Sequence, residues 1–128
     1  MITHDKLQSE AHLWLWNNYP ELRQLFHSNF SDIKIIESVL RSTTGISIGN
    51  TRGIILSKLK SVGLVKGTYD HELLYNGRLY YFDAKIPPDT LSPEQLTFKE
   101  INEKHGAICQ TYATLEEFKN MLCNIFCI

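Results

Sequence analysis

The spacing of apolar side chains changes period several times along the chain, and each change predicts an element. From about Asp5 to Asn18, Leu7, Ala11, Trp14, Leu15 and Asn18 recur at helical spacing. One residue breaks that stripe: Glu10 stands three after Leu7 and four before Trp14, so its carboxylate points toward the apolar face. A carboxylate at such an edge ordinarily reaches out to water. Pro20 restarts a short helix, Glu21 to about His27. Ile33 to Val39 carries enough β-branched residues to read as a strand. After the turn-rich STTGISIGN, Asn50 or Thr51 caps an expected helix with Ile54, Ile55, Leu59 and Val62 on one face, ended by Gly63.

The period then drops to two. In DHELLYNGRLYYFDAK, Asp70 to Lys85, Asn-Gly between alternating side chains is the strongest local signal for a hairpin with a type I′ turn. With Asn76 and Gly77 as that turn, Tyr75 pairs with Arg78 and Asp70 falls opposite Asp83. Asp70, Glu72, Leu74, Leu79, Tyr81, Asp83 and Lys85 then share one face of the ribbon. IPPD stops the second strand. Ser92, Pro93 and Gln95 form a capping box opening a helix to about His105, which Gly106 closes. AICQTY alternates as a strand, and Thr114 with Glu117 repeats the capping box before a helix whose Leu115, Phe118, Leu122 and Ile125 share a face. The order is helix, strand, helix, hairpin, helix, strand, helix. It predicts an α/β domain with a central mixed β-sheet flanked by α-helices.

Composition narrows this only modestly. The 128 residues, 43% hydrophobic and 21% charged, suit a single folded domain over residues 1–128 rather than extended disorder. No apolar run approaches a membrane span and the N-terminus lacks the apolar core of a signal peptide, so a cytoplasmic protein is expected. Cys109, Cys123 and Cys127 are odd in number and late in the chain, which predicts free thiols buried in the core rather than a disulfide framework. The five histidines show no metal-ligand spacing and read as structural or exposed.

The net charge of −1 is unevenly distributed. Between Ser38 and Tyr69 there is no Asp or Glu, while Arg41, Arg52, Lys58, Lys60 and Lys66 all fall there. A basic segment of this kind is a candidate for phosphate contact, or simply a solvated face.

The chemistry concentrates at the open end of the hairpin. Like charges directly across a strand pair are destabilising. A divalent cation would relieve Asp70 facing Asp83, since hard cations take carboxylates, backbone carbonyls such as that of Ala84, waters and phosphate oxygens. Lys85 alongside could neutralise charge developing on a phosphate or orient a water. The bland alternative is a hairpin end in solvent with Lys85 bridging two aspartates, worth about 0–1 kcal/mol.

The stretches GTYDHELLYNGRLYYFDAK, PPDTLSPEQ and GAICQTYATLEEF resemble the VRR-NUC nuclease domain, a branch of the PD-(D/E)XK superfamily with a restriction-endonuclease-like core. The likeness extends upstream through LKSVGLVKG to the first helix. It implies that Asp70 and Asp83 hold Mg²⁺ or Mn²⁺ with the Ala84 carbonyl, that Lys85 is the catalytic lysine, and that Gln95 and the first-helix Glu10 complete the site. Tyr69 stands where that family has proline, and Asp83 where glutamate is commoner. The implied function is a metal-dependent DNA endonuclease. Stand-alone members resemble junction-resolving enzymes, which implies branched DNA such as a Holliday junction as substrate and a homodimer. The alternative is a catalytically inactive nuclease-like module that binds DNA or a protein.

Overall fold

A computed structural model describes residues 2–29, 39, 41–45, 52–63 and 65–127. The chain divides into two compact units, Met1–Asn29 with Gly67–Ile128, and Phe30–Lys66. The first unit holds helix α1 (His4–Asn18), a 3-10 turn (Pro20–Leu22) and strand β1 (Phe26–Ser28), then the hairpin strands β2 (His71–Tyr75) and β3 (Arg78–Ala84). Helix α3 (Pro93–Lys104), strand β4 (Ile108–Tyr112) and helix α4 (Leu115–Phe126) complete it. The second unit contains helix α2 (Arg52–Ser61).

The sheet order is β1-β2-β3-β4, antiparallel across the first two pairs and parallel between β3 and β4, so it is mixed as expected. The hairpin register is the one counted from the sequence: Tyr75 pairs with Arg78 and His71 with Phe82. Asn76 at φ 50° and Gly77 at φ 77° have the two positive φ values that a type I′ turn demands.

Alternation along β3 sorts side chains to two cores. Phe82 and Ala84 join Leu73, Tyr112, Leu7, Ala11, Leu15, Phe118 and Leu122 between the sheet, α1 and α4. Tyr81 turns to the other side, where Tyr69 and Cys109 pack against Phe98 of α3. Helices therefore cover both faces, which makes this an α/β fold.

Two expectations change, and others fall outside the described residues. The helix expected over Glu21 to His27 is a single 3-10 turn followed by β1. Phe26, His27 and Ser28 pair with Leu73, Glu72 and His71, and three residues have no periodicity by which a local pattern could announce a strand. The strand expected over Ile33–Val39 lies outside the described residues apart from Val39, as do Asn50 and Thr51. The apolar face assigned to α2 is incomplete, because Ile54 and Val62 are exposed.

The cysteines divide as well. All three are free thiols and Cys109 is buried, but Cys123 on α4 and Cys127 just past its end are exposed, 3.4 Å apart at sulfur. That helix turns Phe118 and Leu122 inward instead.

Gly67 joins the fold to the site. It has φ +91°, and a Cβ there would collide with the Glu94 carbonyl and come within 2.9 Å of the Gln95 amide. Gly67→Ala should therefore displace the start of α3. The expected loss is about 2–3 kcal/mol, combining backbone strain with overpacking. A fall of roughly 10 °C in the thermal midpoint would register it.

Candidate active site

Asp70 immediately precedes β2 and Asp83 is the penultimate residue of β3, so the hairpin turn sets them opposite each other at the open end. Each carboxylate is held by the other strand's backbone. The Asp70 N–H donates to Asp83 Oδ1 and the Ala84 N–H donates to Asp70 Oδ2, both at 2.9 Å.

Side chains complete the cluster. Lys85 Nζ lies 3.1 Å from Asp83 Oδ2, and Gln95 Nε2 donates to the same oxygen at 3.2 Å. Gln95 reaches it because the capping box of α3 has formed: its backbone N–H donates to Ser92 Oγ while its Oε1 accepts from the Ser92 N–H. One glutamine thus fixes the helix start and grips a carboxylate. The second expected box is altered, for Thr114 caps the Glu117 N–H but the Glu117 carboxylate reaches back to Ala113.

His4, in the first turn of α1, was missed by the sequence reading. Its Nε2 lies 3.1 Å from Asp70 Oδ2 and its Nδ1 3.5 Å from Asp5. No spacing could reveal a pair separated by so much chain. Hydrogen bonding to Asp70, opposed by burial, raises the imidazole to about 9. Burial pushes Asp70 upward, yet His4 and the Ala84 N–H outweigh it and hold the carboxyl below its ordinary value. Burial and then the Asp70 charge push Asp83 up to about 6, against the pull of Lys85.

The like-charge problem posed by the hairpin is thus answered within the protein. Two backbone amides, the Lys85 ammonium and the His4 imidazolium face the two carboxylates. The oxygen donors still fit a hard divalent cation: Asp70 Oδ1 receives none of the bonds above, and Mg²⁺ or Mn²⁺ needs only one or two carboxylates when waters and phosphate complete its shell.

Of the remaining candidates, Glu10 is not drawn into this cluster. Glu10 is half-buried on α1, and among the described residues no three His, Cys, Asp or Glu side chains are grouped to hold a metal ion. Arg41, Lys58, Lys60 and Lys66 are exposed and belong to the second unit, as does Arg52, whose side chain is not described. Beneath the site, on the α1 face, His71 Nε2 lies 2.8 Å from Tyr112 Oη. Burial keeps that imidazole neutral by lowering it to about 4.

The His4 pair gives a pH-dependent stability of definite sign. Its folded pKa is raised above the ordinary 6.5, so its contribution is full below about 6.5 and lost as pH rises through about 9. The thermal midpoints of wild type and His4→Gln should therefore differ most near pH 6 and converge above pH 9. A gap that does not narrow over that range would rule out the charged pair.

No family model matches the sequence, and no curated protein matches it. Among solved structures, one described as a VRR_NUC domain protein shares this fold with a TM-score of 0.71. The match covers 98% of this chain and 89% of that one at 13% identity. Among the described residues no helix is long and apolar enough to cross a membrane.

Proposed function

We propose that the chain is a single nuclease domain hydrolysing phosphodiester bonds in DNA with Mg²⁺ or Mn²⁺. The observation that carries this reading is the pairing of half-buried Asp70 with buried Asp83, with Lys85 locked to Asp83, at the end of a hairpin in a fold shared with a VRR_NUC domain protein.

In this reading Asp70, Asp83 and the Ala84 carbonyl hold the cation, and Glu10 on the flank of α1 is the third carboxylate. The bound cation supplies the charge that activates a water and stabilises the phosphate under attack. The protein's own groups do the positioning. Reciprocal amide bonds fix both carboxylates before substrate arrives, which spares reorganisation at the moment of reaction. Lys85 sets a cation beside the attacked phosphate, and Gln95 holds the shared Asp83 oxygen. Arg41, Arg52, Lys58, Lys60 and Lys66 provide the phosphate-backbone contacts of this reading.

Cleavage of branched and linear DNA with Mn²⁺, abolished both by chelator and by Lys85→Ala, is the expected result. Cleavage surviving both treatments would overturn the assignment. Gln95→Glu separates the two jobs of that residue, since it keeps the cap but sets a second negative charge against Asp83. It should lower cleavage about 10–100-fold, as loss of a ligand-orienting partner does.

Junction resolution by a homodimer is the finer form of the proposal, because a four-way junction presents two related strands to a two-fold assembly. A monomer in light scattering at working concentration would count against it.

A second reading, a nuclease-like module that binds DNA or protein without cutting, draws on His4, whose imidazolium balances Asp70 without a metal. Calorimetric titration with Mn²⁺ separates the two, because only the nuclease requires an affinity that Asp70→Asn removes.

A further inference from the structure

Beside the carboxylates, on the face of the sheet covered by α3, lies a cavity of about 260 Å³. Lys85 forms part of its wall, so one ammonium serves both the Asp83 pair and this space. Lys99, half-buried in the second turn of α3, adds another, and the side chains of Thr90 and Thr111 bring hydroxyls. Thr111 is the β4 residue in register with Asp83. Asp89 is an opposing charge on the lining.

The second observation is Tyr69. It lines the same cavity, is 0% exposed, and its Oη has no hydrogen-bond partner among the described residues. A buried O–H left unpaired is costly, so such groups in folded proteins ordinarily have a partner. Two lysines, two threonines and a buried tyrosine lining one small space are the residue types that suit a tetrahedral oxyanion, whose oxygens only accept and gain most from charged donors.

We propose that this cavity is a second phosphate subsite, which takes a backbone phosphate of the strand held at Asp70 and Asp83. The oxyanion assignment stands on the cavity alone, and the strand assignment rests on the proposed function.

The test is a ³¹P NMR titration of inorganic phosphate into the metal-free full chain, with Lys99→Gln and Tyr69→Phe in parallel. Tyr69→Phe keeps the ring packed on Phe98 while removing the donor. Saturable binding is expected in wild type, weakened about tenfold by Lys99→Gln and about three- to tenfold by Tyr69→Phe, at unchanged thermal midpoints. Equal phosphate affinity in all three proteins would overturn the subsite, even if wild type cleaves DNA. Tight phosphate binding in a wild type that never cleaves DNA would uphold the oxyanion site and overturn the nuclease reading instead. A short single-stranded oligonucleotide should displace the bound phosphate; failure to displace it would overturn the strand assignment and leave a site for free anions.

Discussion

Asp70→Asn should leave a folded protein whose Mn²⁺-dependent cleavage of DNA has fallen by more than about 100-fold, beyond the loss typical of residues that merely orient a ligand. The substitution is nearly isosteric, and an amide oxygen can still accept from the Ala84 N–H. What disappears is a full negative charge on the carboxylate whose bonds to Ala84 and His4 both fall on Oδ2, leaving Oδ1 open among the described residues. The same change should also erase a stabilisation. A cation present at 100 times its dissociation constant adds about 2.7 kcal/mol to a protein that binds it only when folded. For a domain of this size that raises the thermal midpoint by about 8 °C. Mn²⁺ should give such a rise in wild type and almost none in Asp70→Asn. An equal rise in both proteins would place the cation elsewhere.

Phe118→Ala should produce the largest loss of stability, about 3–5 kcal/mol, the usual range for deleting a buried aromatic. Phe118 is fully buried on α4 and packs its ring against Trp14, Phe26, His71, Phe82 and Tyr112. It therefore joins α1, the strands β1, β2, β3 and β4, and α4 at one point. Deleting it leaves a cavity bordered by rigid rings, which relax poorly. The thermal midpoint should fall by more than about 10 °C. His71 and Tyr112 beneath the aspartates should then exchange their hydrogen bond with solvent, readable as lost protection of the β2 and β4 amides. A change under about 1 kcal/mol would mean that the two halves of this core are held by other contacts.

The hairpin was legible because its determinants are local. Asn76 and Gly77 are the residues that tolerate positive φ, and a two-residue turn leaves a single register, which places Asp70 across from Asp83. The caps at Ser92 and Thr114 were legible for the same reason, since each satisfies amides within one turn. β1 was not legible. Phe26 to Ser28 are extended only because β2 offers them a backbone to pair with, and Pro20 invited a helix instead. The exposure of Cys123 and Cys127 was likewise beyond the pattern, for their inward or outward turn depends on which stripe of α4 meets the sheet.

Within the site, the sequence determined the carboxylate pair, the lysine beside it and the glutamine that caps α3. Each lies close along the chain to a turn or cap signal, where spacing fixes geometry. Tertiary structure decided how that pair is balanced. His4 reaches Asp70 from the start of the chain, and Gln95 turns its spare amide onto Asp83 because Gly67 lets α3 approach closely. It also decided that Tyr69 and Lys99 share a cavity with Lys85. These are contacts between elements far apart along the chain. Their distances follow from how helices settle on the sheet, which no local period encodes.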